Sequence, residues 1–434
     1  MAATARKCEW ALCLGFLAII GAVPVAQTCL ELRRGQRVQA ADVFRQRPTS
    51  RNLRQYEETL REKSWFQQTL RPRVQGALWR LFHDTGARAV VGRDGWLFYR
   101  PDVRYLVEPD RSEPVRADSI WIAPASGLTE RESVARAIVR FRDQLKERGI
   151  ELLVAPAPGK PSVCPDQLTS RAQGQAAVFP SPTLELIAAL RRQDVAVVDL
   201  FAALQSARTS ARAGAEPSAL YLARDTHWTP RGAAIAAHAV ALALSEKGWS
   251  PPATTEFEAR AIALQRWGDI LEMMQIPGLR EASLAETVEC RQVRDPVFGL
   301  LVPAPSERPG AYKHPASKSQ VLLLGDSFSR IYQFPEPRSL GELTGGEAAE
   351  PERGATKRSL PGSAGFLAQL ALELKAPVDA IVSDGGASTD VRRRLSTHPE
   401  MLEGKKVVIW EFVERDIRLG REGWQDVPLP PRLQ

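Results

Sequence analysis

Two short stretches carry side chains that together make a nucleophile and its base. Asp225-Thr226-His227-Trp228-Thr229-Pro230 puts an acid two residues ahead of an imidazole. In an extended segment residues i and i+2 point to one side. A carboxylate there can hold one ring nitrogen, fix the tautomer and raise the basicity of the other. Leu324-Gly325-Asp326-Ser327-Phe328-Ser329 closes a wholly apolar run, Val321–Leu324. Ser327 thus falls at the carboxyl end of a predicted strand, where open α/β sheets bind ligands. Gly325 permits a sharp turn, and the N–H groups of a helix starting at the serine can stabilise an oxyanion. A serine hydroxyl is a poor nucleophile until a base takes its proton. Ser327 as nucleophile, His227 as base and Asp225 as orienting acid therefore account for one another, and the chemistry is that of an activated serine nucleophile. Taken singly, each stretch also fits a plainer reading: a serine capping the next helix, and a surface Asp–His pair. Of the five histidines, His83, His227, His238, His314 and His398, only His227 follows a carboxylate by two residues.

These residues need a scaffold, and the chain alternates helix and strand around them. Glu130-Arg131-Glu132 follows Thr129 with capping-box spacing, and Val134, Ile138, Phe141 and Leu145 recur at helical intervals behind it. Ile150–Ala155 reads as a strand, Ser181-Pro182 as a helix start, Val195–Leu200 as a strand, and Thr229-Pro230 as the start of an Ala-rich helix running to about Gly248. Strand 321–324, helix 366–374, strand 378–382, helix 389–403 and strand 407–412 follow. Five continuous apolar runs with mostly helical connections indicate strands buried on both faces. The expected fold is α/β, a three-layer α/β/α sandwich around a mainly parallel sheet. Ahead of it, 89–99 reads as a hairpin around Asp94-Gly95, residues 40–85 as amphipathic helix and 106–128 as a loop. Residues 337–364, rich in Gly, Glu, Pro and Ser, read as a mobile surface insertion, and 250–318 hold few clear elements.

Composition limits the classes of function. The chain has 434 residues, 44% apolar and 25% charged, ordinary globular values. That excludes a collagen-like, wholly disordered or polytopic membrane protein. Lys plus Arg is 58 against 51 acidic residues, a charge of +7 without a long basic block, so no nucleic-acid partner is expected. Arg6 and Lys7 precede an uncharged stretch, 10–30. It is about long enough for the roughly 20 residues that span a bilayer and reads as a signal peptide or signal anchor. Residues 31–88 then form an N-terminal helical region and 89–434 the catalytic domain. Cys164 and Cys290 lie in the body, where an oxidising space would let them form a disulfide; packed thiols are the alternative. The cysteine spacing gives no zinc signature, and neither a metal nor a cofactor is expected.

The motifs resemble a known family. Gly325-Asp326-Ser327-Phe328-Ser329 is similar to the first block of SGNH hydrolases, and Asp225-Thr226-His227-Trp228 to the Asp-x-His-Trp signature of alginate O-acetyltransferases of the AlgJ and AlgX type. Asp and His precede the serine, the permuted order of that family. Further similarity lies in 92–99, 155–160, 384–388 and 407–415. The resemblance implies an SGNH-like fold and a periplasmic enzyme, either free or held in the inner membrane by its N-terminal segment, that acetylates hydroxyls of an exported polysaccharide. It implies Ser327, His227 and Asp225 in the roles given above. A membrane-bound O-acyltransferase would supply the acetyl group as a partner. The layout is AlgJ-like, without the carbohydrate-binding module that follows in AlgX-type proteins. The Asn of the third SGNH block has no clear match; Asp384 opens the Gly385-Gly386 segment instead. Candidate oxyanion donors are the N–H groups of Ser327 and of Gly385 or Gly386, with Arg392 or Arg415 assisting by charge. Two alternatives stay open: a carbohydrate esterase using the same three residues, and a non-catalytic component of an export complex.

Overall fold

The computed structural model describes residues 2–430 apart from 46, 50–51, 54–55, 58, 61–63, 109–129, 173–180, 212–219, 284, 304–309, 317–318, 335–340, 344–361 and 421. Its strands are β1 (Ala89–Val91), β2 (Leu97–Tyr99), β3 (Glu151–Ala157), β4 (Ala196–Val197), β5 (Glu258–Arg266), β6 (Glu286–Asp295), β7 (Gly299–Leu300), β8 (Ala311–Tyr312), β9 (Val321–Gly325), β10 (Gly341–Leu343), β11 (Val378–Val382) and β12 (Val407–Val413). The chain divides into two compact units, residues 1–86 with 274–282, and 87–273 with 283–434.

The larger unit is built on a six-stranded sheet of order β4-β3-β12-β9-β11-β8. Its first five strands are mutually parallel, and β8 joins the edge antiparallel to β11. All five expected strands lie in it. Alternate residues feed two cores. Leu153, Leu323 and Ile409 face one, with helices Pro230–Glu246 and Phe366–Leu374 packed there. Leu152, Leu322 and Val408 face the other, against helices Glu130–Lys146, Pro182–Arg191 and Asp390–Thr397. That double burial is why the strands read as unbroken apolar runs, and it makes the three layers of the expected SGNH-like sandwich. Two helix starts form as their caps predict. Ser181 Oγ accepts from Thr183 N, and Thr229 Oγ1 from Gly232 N.

Three expectations change. Residues 195–200 shorten to β4 because Leu200 already opens helix Leu200–Ala211. The region 250–318 supplies β5, β6 and β7 of an antiparallel sheet of order β10-β5-β6-β7. Part of the expected surface insertion is β10, paired with β5 in the register Gly341↔Arg266; most of the remainder lies outside the described residues, as does most of the expected loop 106–128. The hairpin stands, with β1 antiparallel to β2 and the turn at Asp94-Gly95.

In the smaller unit, helix Ala2–Arg33 is followed by a 3₁₀ turn, Gln39–Phe44, and helix Arg71–Phe82. Within Leu12–Arg33 an 18-residue window has a mean hydropathy of 2.0, and none of that window is buried. Among the described residues it is the one helix long and apolar enough to cross a membrane. Glu31 is buried at its end and accepts from Gln27 Nε2 at 2.7 Å and Gln39 N at 3.0 Å.

Candidate active site

The carboxyl ends of β9, β12, β3 and β11 meet at one rim of the main sheet. β9 delivers Gly325-Asp326-Ser327. The chain turns back at once into the short helix Ser327–Arg330, so Ser329 lies over Gly325, where a Cβ would collide with Ser329 Oγ. Only glycine permits that approach. Asp326 caps the turn: one carboxylate oxygen accepts from Phe328 N at 2.8 Å and the other from Val413 N at 2.8 Å on β12. Glu411 Oε2 accepts from Ser329 Oγ at 2.7 Å and Asp326 N at 3.2 Å. Burial, and then the Asp326 charge, push the Glu411 carboxyl well above the usual range. Ser327 itself is partly exposed at the rim.

The acid–imidazole pair arrives from the loop before helix Pro230–Glu246. Asp225 Oδ1 accepts from His227 Nδ1 at 2.6 Å and from His227 N at 3.0 Å, so the i, i+2 geometry forms as expected. Burial pushes Asp225 up, but the imidazole charge and its hydrogen bond outweigh it and hold the carboxyl far below its ordinary value. Burial likewise depresses His227, while Asp225 and then Asp269 more than reverse that, and its pKa rises. His227 Nε2 is buried and has no hydrogen-bond partner.

The segment that carries Ser327 packs on this imidazole. The Phe328 ring centroid is 5.0 Å from that of His227, and Trp228 Nε1 donates to the Phe328 carbonyl at 3.1 Å. Tyr332 Oη adds a 3.3 Å hydrogen bond to the Trp228 carbonyl. Stretches separated by 100 residues therefore meet through Phe328 and Trp228.

Several supporting groups were not evident from sequence. Lys160, after β3, is fully buried and donates from Nζ to the carbonyls of Leu222, Ala223 and Asp225 at 2.9, 3.1 and 2.7 Å. Burial lowers its pKa to about 8. Glu286 on β6 accepts from the N–H groups of Ala223 and Arg224 at 2.7 and 2.9 Å. Asp269 accepts from Thr226 N and Oγ1 at 2.8 and 2.7 Å. The only sequence signal for it is an acid placed after a glycine at a helix start, which marks many ordinary helices. Asp225, His227 and Asp269 bring one donor atom each within 4.8 Å, the one such group among the described residues. Asp225 and His227 are joined within it by the Nδ1–H hydrogen bond, which makes the set an acid–imidazole network.

The remaining sequence candidates separate clearly. Arg415 is buried beside the site, donating to Asp102 Oδ1 at 2.9 Å, with its guanidinium 5.2 Å from the Tyr99 ring and 5.8 Å from Phe328. Gly385 lies in a turn tied to the serine's helix by Arg330 Nε, which donates to Asp384 Oδ1 at 2.7 Å. Gly386 cannot serve as a donor, because its N–H closes that turn onto the Ser383 carbonyl at 2.9 Å. Arg392 is drawn into the opposite layer: it donates to the carbonyls of Ser388 and Gln425 and stacks 5.0 Å from Trp410. Cys164 and Cys290 both keep their thiols, buried in the core, and no disulfide joins them. His314 does meet an acid, with Nε2 3.4 Å from Asp295 Oδ2, but beneath the β8 edge.

The chain matches a family described as "SGNH hydrolase-like domain, acetyltransferase AlgX" over residues 89–349. A probable alginate O-acetylase AlgJ of Pseudomonas syringae pv. tomato is 23% identical over 344 residues, covering 77% of this chain and 71% of the relative. The Pseudomonas putida protein of the same name is 25% identical over 340 residues, covering 77% and 72%. Among solved structures, the O-acetyltransferase domain of Pseudomonas putida AlgJ aligns with a TM-score of 0.49 at 21% identity, over 76% of this chain and 92% of that domain.

Proposed function

The chain belongs to the AlgX family of SGNH hydrolase-like acetyltransferases, and on that premise we propose that it acetylates hydroxyls of an exported, alginate-like polysaccharide through an acetyl-Ser327 intermediate. The state of the imidazole carries this reading. Nδ1 is held by Asp225, Nε2 is buried and unpartnered, and the helix of Ser327 packs against the ring. A ring so held has one task left for its second nitrogen, the proton of a nearby hydroxyl.

The steps follow from that geometry. His227 Nε2 takes the Ser327 proton as Oγ attacks the donor's acetyl carbonyl. The oxyanion forms and collapses, the donor's ester bond breaks, and the proton passes to the leaving group. Then Nε2 takes a proton from a sugar hydroxyl, whose oxygen attacks acetyl-Ser327; the serine leaves and regains its proton. Phe328, Ser329 and Arg330 spend their N–H groups on Asp326. The Ser327 N–H is therefore our candidate oxyanion donor, with Gly385 from the adjoining turn. Arg415 places positive charge beside the same helix.

The acetylase names of the relatives favour transfer over the esterase alternative, and the intact Asp225–His227 arrangement speaks against a non-catalytic role. Alginate is the substrate named for those relatives, and a uronate-like polymer is the acceptor proposed here. A membrane-bound O-acyltransferase would hand over the acetyl group. The exposed apolar helix Ala2–Arg33 supports export, with residues 1–30 as a signal or inner-membrane anchor, 31–88 as a helical region and 89–434 as the acetyltransferase domain in the periplasm.

Incubation with p-nitrophenyl acetate and mass spectrometry tests the intermediate. One acetyl group on the Ser327 peptide is expected, and none in Ser327→Ala or His227→Ala. Equal labelling of Ser327→Ala would sink the mechanism. With oligouronates present, acetate is expected on sugar; release into water alone would favour the esterase.

A further inference from the structure

We propose that Asp269 is a positioning residue for His227, a second acid that locks the Asp225–His227 pair and shares in stabilising its imidazolium. The inference rests on the reading of His227 as the general base. Asp269 opens the helix Asp269–Met274 directly after Gly268, at the end of β5. Both its oxygens are turned on Thr226, one accepting from the backbone N–H at 2.8 Å and the other from Oγ1 at 2.7 Å. Thr226 Oγ1 also lies 3.1 Å from His227 Nδ1, and Asp269 Oδ2 itself lies 3.7 Å from that nitrogen. In return the Asp269 N–H donates to Asp225 Oδ2 at 3.1 Å.

One residue thus engages both the acid and the spacer between acid and base. Asp225 Oδ1 is committed to His227, so its second oxygen depends on Asp269 N and on Arg266, 3.8 Å away. Among the described residues Thr226 has no other acceptor for its N–H: without Asp269 its N–H and O–H lose these partners, and the i, i+2 arrangement loses its brace. A pair already in its productive orientation pays no reorganisation as the proton moves.

The charges around the ring set the sign of the electrical effect. Asp225 faces it from its own loop, Asp269 from the end of β5, Asp326 from the end of β9 and Arg415 from the end of β12. Arg266 from β5 and Lys160 from the end of β3 act on Asp225 and its carbonyl, Glu286 from β6 on the preceding N–H groups, and Tyr99 from β2 lies within the field of Asp269. Ionised Asp269 favours the imidazolium. Burial, then the Asp225 charge, push its own carboxyl up to about 6.

The test uses the full chain with Asp269→Asn, read by the pH profile of acetylation from p-nitrophenyl acetate. In parallel, ¹⁵N-histidine NMR in the Ser327→Ala background follows His227 without activity. Loss of a negative charge lowers the pKa of the imidazolium. The expected results are an acid limb and an NMR titration moved to lower pH, acetylation slowed roughly 10-fold, and an unchanged KM for the ester. A slowed rate with limb and titration both in place would mean a merely structural role and overturn the proposal, as would a wild-type rate. If Asp269→Asn fails to fold, Thr226→Val removes only the hydroxyl bridge. Slower acetylation with the acid limb in place is then expected, and a wild-type rate overturns the brace. Labelling of His227→Ala at the wild-type rate would instead refute the base on which the inference rests, whatever Asp269 does.

Discussion

Lys160 holds the backbone of the loop that carries Asp225 and His227. Its ammonium lies 5.5 and 5.0 Å from the rings of Trp96 and Phe98 and holds three successive stretches of backbone leading to Asp225. Lys160→Met keeps the length of the side chain and removes every donor. Three carbonyls lose their partner where little water can replace it, and the expected loss of stability is about 2–4 kcal/mol. The acid–base loop loosens with them, so acetylation by p-nitrophenyl acetate should slow at least several-fold at a temperature where the variant is still folded. Thermal melts and single-turnover labelling measure the two effects separately. The turn that carries Ser327 and the Asp225–His227 pair were legible in the sequence because their logic is local: strand, glycine, serine, and an i, i+2 spacing. Lys160, Asp269 and Glu286 were not, because each acts across the chain on backbone atoms, and no spacing records which carbonyl or N–H a side chain will reach.

At the scale of elements, the parallel sheet could be read because each strand is covered on both faces and turns almost wholly apolar. β5 and β6 could not. They pair in long antiparallel register from Glu258↔Arg294 to Arg266↔Glu286, but β5 is largely exposed along its first half. Its inward positions include Arg266, and those of β6 include Gln292, whose amide donates to the Gly362 carbonyl. Polar residues facing inward erase the alternation by which a half-buried strand is recognised. Yet this sheet carries the brace of the site, since β5 ends in Arg266 and leads through Gly268 to Asp269. Gly268 has φ +85° and lies against the Arg224 backbone, where a Cβ would collide with the carbonyl oxygen. Gly268→Ala must both strain its own backbone and push the Arg224–Asp225 peptide away. We expect about 2–4 kcal/mol of destabilisation and a fall in acetylation larger than that of the equally conservative Gly404→Ala, a positive-φ glycine with open space around it. Parallel melts and labelling rates compare the two; equal activities would show that the turn does not transmit to the pair.

For the whole molecule, the rim concentrates buried acids whose charged form folding disfavours. Burial raises Asp326, Glu411 and Glu414, and it pushes Asp416 up to about 7 against the pull of Arg415. Glu414 shows what is gained in exchange. It accepts from Gly159 N at 2.6 Å, Thr183 Oγ1 at 3.0 Å and the hydroxyls of Ser162 and Ser181, tying the end of β12 to the loop after β3 and to a helix start. A carboxyl whose folded pKa lies above its unfolded value of about 4 contributes stability that is complete below that value and lost as pH rises through the folded one. His227, raised as well, loses its contribution as pH climbs from its unfolded value of about 6.5 through the folded one. Three groups run the other way; Lys160, whose pKa burial lowers to about 8, does so only from about that pH upward. Asp225, held far down, loses its contribution only in acid below about pH 4, and burial depresses His314, which gives back some stability up to about pH 6.5. The five raised acids, Asp269 among them, and His227 outnumber these, so the unfolding midpoint should be highest near pH 5 and fall toward pH 8. Asp416→Asn removes one contributor and should flatten that decline between pH 5 and 8. Calorimetry of both proteins across that range decides the matter: a midpoint that climbs from pH 5 to 8, or a decline untouched by Asp416→Asn, would mean that the rim acids are ionised at neutral pH and that Arg415 is fully shared among them.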